Sequence, residues 1–284
     1  MLKRSARVLT GMALGLDLYR LTNLDFFPRP EDIFIVAYPR SGTTWMQMIL
    51  YQLTTNGEMN FSHISEVSPW FERSSFNGRD LEALPSPRIL KSHLPWKWIP
   101  RGGCKYIYVA RDGRDVAVSL FHFLRTHAGY RLTFSRFFDR FMRGRVPYGS
   151  WFKHVAGWWE HRGDSNVLCL KYEDLVSDLD SCVQRVIEFC RLDVAPERLP
   201  SILERCRFAF MKRHEAKFDH LTELLWERGA ALNNFFRKGQ VGDWTEQFDV
   251  HQIAAFEQEF LSRLGKLGID FSTAATKRAA QTAN

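Results

Sequence analysis

Residues 33–50 read IFIVAYPRSGTTWMQMIL. The first six are apolar without alternation, which predicts a strand covered on both faces over Ile33–Tyr38. From Thr44 the residues Trp45, Met48, Ile49 and Leu53 recur at helical spacing, which predicts a helix over Thr44–Leu53. Pro39, Arg40, Ser41, Gly42, Thr43 and Thr44 fill the turn between them. A turn of this kind turns free N–H groups outward, and the helix dipole adds positive potential there. Gly42 lets the backbone approach an anion closely. Ser41, Thr43 and Thr44 add hydroxyls, and Arg40 adds a charged fork. A glycine turn that merely caps a helix would account for Gly42 alone, but not for the whole Arg-Ser-Gly-Thr-Thr-Trp run. The phosphate-loop pattern of ATPases is not met, because no glycine precedes at the required spacing and no lysine follows Gly42. Magnesium–ATP is therefore not the expected ligand.

Three more apolar segments read as strands: Arg88–His93, Lys105–Arg111 and Asn166–Leu175. Helical periodicity is expected over Asp115–Leu124, Thr133–Met142, Trp151–His161, Leu179–Cys190 and Gln252–Leu264. Strands alternating with helices predict one α/β domain over 1–284, with a central, mainly parallel sheet flanked by helices. Ligands then bind beyond the carboxyl ends of the strands. Residues 58–87 and 214–240 are long irregular connections of the kind that line binding sites.

Three further sites carry chemistry at such positions. Lys91 and His93 are two apart on a strand and so face the same side. A histidine beside a cation resists a second positive charge and so serves as a neutral base. Arg111 ends its strand, and Ser119 follows two turns into the next helix. Arg237, Lys238 and Gly239 form a basic turn able to close on an anion. Each site has a plain structural alternative: a surface lysine with a core-edge histidine, an arginine paired with a carboxylate, an exposed basic turn.

The 284 residues are 45% hydrophobic and 25% charged, with a net charge of +7. That balance suits an anionic partner. The basic residues read as spread along the chain, which argues against nucleic acid. The five cysteines include no CxxC pair, so free buried thiols in a reducing, cytoplasmic compartment are expected, with neither disulfide nor metal site. The N-terminal stretch, to about residue 30, reads as an amphipathic helix. The tail from about residue 273 reads as disordered, and no stretch is long and apolar enough to span a membrane.

Six motifs in order, YPRSGTTW, LKSHLP, YIYVARDGRDVAVS, YGSWFKHVAGWWE, LKYEDL and RKGQVGDW, resemble the cytosolic sulfotransferases from about Ile33 to Phe248. The resemblance implies 3′-phosphoadenosine 5′-phosphosulfate (PAPS) as donor and PAP as product, without a metal, and a small hydroxyl acceptor. It implies that Arg40–Thr44 cradle the 5′-phosphosulfate, with Trp45, Tyr172 and Phe208 about the adenine. Arg111, Ser119, Arg237, Lys238 and Gly239 would hold the 3′-phosphate. His93 would be the general base, with Lys91 and Arg40 contacting the transition state. It places Phe61, Trp70, Phe71, Phe76, Phe123 and Tyr130 around a hydrophobic acceptor. His154, on an aromatic helix, reads as structural.

Three positions depart from the family pattern. Arg40 replaces a lysine. Cys206 stands at an adenine-side serine or threonine. The dimerisation motif after GDW keeps Val250 but lacks its lysine, threonine and glutamate, so the familiar dimer is not assumed and the oligomeric state stays open. A kinase-like phosphotransferase and a catalytically silent PAP-binding protein are the competing readings.

Overall fold

The computed structural model describes residues 26–55, 57–76, 80–128, 130–218 and 239–271. Most of the expected N-terminal helix, the tail from residue 272, and Arg237 and Lys238 lie outside them. Residues 26–30 are described and are not helical.

Four strands, β1 (Ile33–Val36), β2 (Ile89–Ser92), β3 (Lys105–Ala110) and β4 (Val167–Lys171), form a parallel sheet in the order β2-β1-β3-β4. Ile33 lies opposite both Ile89 and Lys105, and Val36 lies opposite Ser92 and Tyr108. From β1 the chain passes to one side, to β2; from β3 it passes to the other, to β4. The connections therefore diverge between β1 and β3, and the crevice beyond their carboxyl ends is where an open parallel sheet binds ligands.

The helices are α1 (Thr43–Thr54), α2 (Phe71–Phe76), α3 (Gly113–Ala128), α4 (Phe134–Met142), α5 (Trp151–Trp159), α6 (Tyr172–Ser177), α7 (Leu179–Cys190), α8 (Leu199–Cys206), α9 (Phe208–Arg213) and α10 (Val250–Leu264). Thr133 caps α4, Ser150 caps α5, and Asp249 with Gln252 forms a capping box on α10. The fourth strand is shorter than expected. It stops at Lys171, and Tyr172 begins α6 rather than continuing the strand. At that corner Glu173 turns inward, and its carboxylate accepts the Asp112 N–H at 2.9 Å.

Strand alternation sorts the core into two chemically different halves. Phe34, Tyr106 and Tyr108 face an aromatic cluster that includes Trp151 and Trp158, where Tyr108 stacks on Trp158 at 5.2 Å. Ile33, Ile35, Ile107 and Val109 face an aliphatic cluster with Met46, Ile49 and Val183. At the amino ends of β1 and β2, away from the crevice, the fully buried Asp32 and Arg88 form a two-pronged ion pair at 2.8 and 2.6 Å. Removing either partner would strand a buried charge, at a cost of about 3–5 kcal/mol. Among the described residues, no helix is long and apolar enough to cross a membrane.

Candidate active site

The loop after β1 begins as an extension of the sheet, with the Ala37 N–H donating to the Ser92 carbonyl at 3.4 Å. It then turns sharply, with φ of 71° at Arg40 and 101° at Gly42. Gly42 is required twice. Its φ is left-handed, and a Cβ there would lie 2.9 Å from the Tyr172 ring. The turn leaves the Ser41 hydroxyl buried without a hydrogen-bond partner. Such a group is costly unless a ligand satisfies it.

Arg111, at the end of β3, binds across the crevice to both walls. One terminal nitrogen donates to the Arg40 carbonyl at 3.0 Å, and the other donates to the Gln240 carbonyl at 3.1 Å. Its Nε is buried and unpaired, and the guanidinium lies 4.2 Å from the Tyr172 ring centre. The Arg40 Nε donates to the Ser119 hydroxyl at 3.2 Å, and its guanidinium packs 4.9 Å from the Phe123 ring. The segment carrying Gly239 and Gln240 is tied down just beyond them. The buried Asp115 carboxylate accepts the Gly242 and Trp244 N–H groups at 2.9 and 3.1 Å.

Lys91 and His93 enter the same crevice from β2 and its extension. A short parallel bridge, in which the Lys91 N–H donates to the Pro69 carbonyl at 2.9 Å, brings Trp70 alongside. The Lys91 ammonium lies 5.0 Å from the Trp70 ring, and His93 meets the same ring edge-on at 5.4 Å. The His93 main-chain N–H donates to Glu72 at 2.6 Å, and its carbonyl accepts from the His154 Nε2 at 3.2 Å. The His93 Nδ1 faces the Ala37 carbonyl at 2.8 Å. A carbonyl only accepts, so Nδ1 carries the hydrogen and Nε2 the lone pair. Burial, then the Lys91 charge, holds His93 well below the ordinary imidazole range. Burial lifts the Glu72 carboxyl to about 6 and lowers His154 to about 4.

Arg40, Lys91, His93, Arg111 and Ser119 line one cleft, joined by Gly42, Thr43, Thr44, Trp45, Tyr172, Phe208 and Gly239. Of the expected site residues, Ser41 sits buried at the base of the loop, and Arg237 and Lys238 lie outside the described residues. The expected acceptor wall is only partly met. Trp70 and Phe123 line the cleft. Phe71 belongs to the aromatic core, Phe61 packs on Tyr51, and Tyr130 packs on Phe137. The Phe76 side chain lies outside the described residues. Tyr148, Leu120 and Met211 line the cleft instead. Cys206 is buried, and its carbonyl accepts the Trp45 indole N–H at 2.7 Å.

The sulfotransferase domain model matches residues 30–268. The chain is a sulfotransferase. It is 34% identical to rat sulfotransferase 1 family member D1, across 87% of this chain and 88% of that one. It is also 34% identical to human sulfotransferase 1E1, over the same shares. In structure it resembles mouse sulfotransferase SULT7A1 complexed with PAP, with a TM-score of 0.71, 30% identity and 90% and 91% of the two chains covered. It resembles equally retinol dehydratase in a complex with retinol and PAP, at TM-score 0.75 and 27% identity, over 91% and 88%. The sulfotransferase keeps its five cysteines as free thiols. Among its described residues, no group of three or more acidic, histidine or cysteine side chains is arranged to hold a metal.

Proposed function

We propose that this sulfotransferase moves a sulfuryl group from PAPS to the hydroxyl of a small hydrophobic acceptor, with His93 as general base. One observation carries the reading. The Nδ1–H of His93 points to the Ala37 carbonyl, which leaves a basic Nε2 in the cleft that also holds the Lys91 ammonium.

The site fits the donor. The unpaired Ser41 hydroxyl and Arg111 Nε are donors suited to a polyanion. Residues 40–44 and the amino end of α1 would hold the 5′-phosphosulfate. Arg111 and Ser119, with Gly239 and the adjoining Arg237 and Lys238, would hold the 3′-phosphate. Trp45, Tyr172 and Phe208 would enclose the adenine. When bound, PAPS supplies an activated sulfuryl group on a phosphate leaving group.

The rest is the work of the chain. His93 Nε2 takes the proton of the acceptor hydroxyl. Lys91 and Arg40 stand where negative charge develops and need little rearrangement to meet it. Trp70, Phe123, Leu120 and Tyr148 offer apolar surface to the acceptor and exclude water. The free thiols favour a reducing, cytoplasmic setting.

The test is calorimetry with PAP in magnesium-free buffer, followed by PAPS transfer across a panel of phenols and alcohols. Binding of PAP in preference to ATP, with transfer to apolar acceptors, is expected. His93→Ala should bind PAP normally and lose transfer. Full activity in that variant would remove His93 from the role, and PAP binding without any transfer would point to a silent binder.

A further inference from the structure

The basic residues are not spread evenly along the chain, and the fold brings one concentrated stretch of them onto a single face. Residues 125–145 hold six arginines, Arg125, Arg131, Arg136, Arg140, Arg143 and Arg145, against the single acid Asp139, so +5 of the chain's net +7 lies in 21 residues. The cause is the amphipathic pattern of α4. Phe134, Phe137, Phe138 and Phe141 are buried, so positions 136, 140 and 143, spaced four and three apart, share the opposite, exposed face. The chain after α4 folds back, with the Arg140 Nε donating to the Arg145 carbonyl at 3.2 Å, which brings Arg145 beside the stripe. Arg125, on the last turns of α3, packs 5.4 Å from the Phe121 ring, and that ring touches Phe134 at the start of α4. Among the described residues, Arg131, Arg136, Arg140, Arg143 and Arg145 form no ion pair, and Asp139 pairs with none of them.

We propose that this arginine face docks the enzyme on an anionic phospholipid surface. Three observations favour that occupant. The face exposes charge without large apolar side chains: all four phenylalanines of α4 are inside, so it lacks both the anchors of a protein–protein hot spot and the stacking platforms of a single-strand nucleic-acid groove. Unpaired arginines spread over a helix face match a diffuse array of lipid headgroup phosphates rather than one bound anion. The face also adjoins the cleft. Phe123 lies two residues before Arg125, and Tyr148 lies three residues after Arg145, and both line the cleft. Docking would hold the apolar wall of the cleft near the bilayer, into which hydrophobic hydroxyl compounds partition. The electrostatics hold whichever acceptor is used.

The experiment is vesicle co-sedimentation of the full chain, with phosphatidylcholine alone and with phosphatidylcholine containing about 30 mol% phosphatidylserine. Binding to the anionic vesicles alone is expected, with release in about 0.5 M salt. The triple variant Arg136→Gln, Arg140→Gln, Arg143→Gln should partition about 100-fold more weakly. It should keep its melting temperature, its PAP affinity and its turnover of a water-soluble phenol, since none of these residues lines the cleft. Equal binding to both vesicle types, or full binding by the triple variant, would overturn the proposal. So would protein that ignores the vesicles but binds duplex DNA or an acidic polypeptide, which would assign the face to another polyanion.

Discussion

The carboxylate of Glu72 holds the main-chain N–H of His93 at 2.6 Å, across 21 residues of sequence. With the Pro69–Lys91 bridge and the Trp70 ring, this contact makes residues 69–72 a splint along the end of β2. Glu72→Ala leaves that buried N–H unpaired, at about 1–3 kcal/mol, and should lower kcat by roughly 10- to 100-fold. PAP affinity should be unchanged, and Glu72→Gln, which keeps an acceptor oxygen, should recover most of kcat. Steady-state kinetics beside PAP calorimetry decides the point: equal losses of kcat and PAP affinity would make Glu72 a general stabiliser only.

The role proposed for Arg111 distinguishes the two ends of the nucleotide. Arg111→Ala removes a charged donor, worth about 10- to 100-fold in PAP affinity. Adenosine 5′-phosphosulfate lacks the 3′-phosphate, so its affinity should fall far less. Competition titrations with both nucleotides read the difference, and matching losses would relocate Arg111 away from the 3′-phosphate.

At position 40, a lysine would lose both the Ser119 hydrogen bond and the contact with Phe123. Arg40→Lys should keep transfer within about 10-fold, because the charge remains, and should weaken PAP by loosening Ser119. Arg40→Ala should lose transfer by more than about 100-fold. Single-turnover rates alongside PAP affinity separate these outcomes, and an active alanine variant would show that the charge at this position is dispensable.

His154 predicts the pH dependence of stability. The unfolded imidazole takes its proton near pH 6.5, whereas the folded one stays neutral down to about 4. Its contribution is complete above pH 6.5 and is lost as the pH falls toward 4, by roughly 3 kcal/mol in all. The buried Glu72 and Glu173, raised to about 6 and about 8, act in the opposite sense and gain stability over the same fall. His154→Gln isolates the histidine term: its melting temperature should drop less between pH 7 and pH 5 than that of the parent. Parallel curves would refute the assignment.

Residues 33–50 and the strand-end cations were legible because their signals are local: an apolar run, a glycine turn, a two-residue repeat. Lys91 and His93 share one face because the strand period is two, and this needs no knowledge of the rest of the fold. The acceptor wall was not legible in the same way. Phe71 and Phe123 look alike in sequence, yet packing sends one into the core and the other into the cleft. Tyr148 was read only as part of the YGSWFKHVAGWWE run, whose aromatics suit helix packing; it stands before the helix in a turn with a left-handed φ of 74° and lines the cleft, and no periodicity announces that. Glu72 was invisible because its partner lies on another element. The Cys206 carbonyl was invisible too, since its bond to the Trp45 indole joins residues 161 apart in sequence.

The aromatic and aliphatic halves of the core have a consequence for how such an enzyme diversifies. Phe123 and Tyr148 are rooted in the aromatic half, while α1 and Trp45 are rooted in the aliphatic half, with the sheet between them. Residues with no shared neighbours change stability nearly independently. On the roles proposed above, acceptor preference is free to drift at Tyr148 and Leu120 without disturbing the seat of Trp45 on the other side of the sheet. Arg40, which touches both Ser119 and Phe123, is the hinge pin through which a change in the acceptor mould reaches the nucleotide socket.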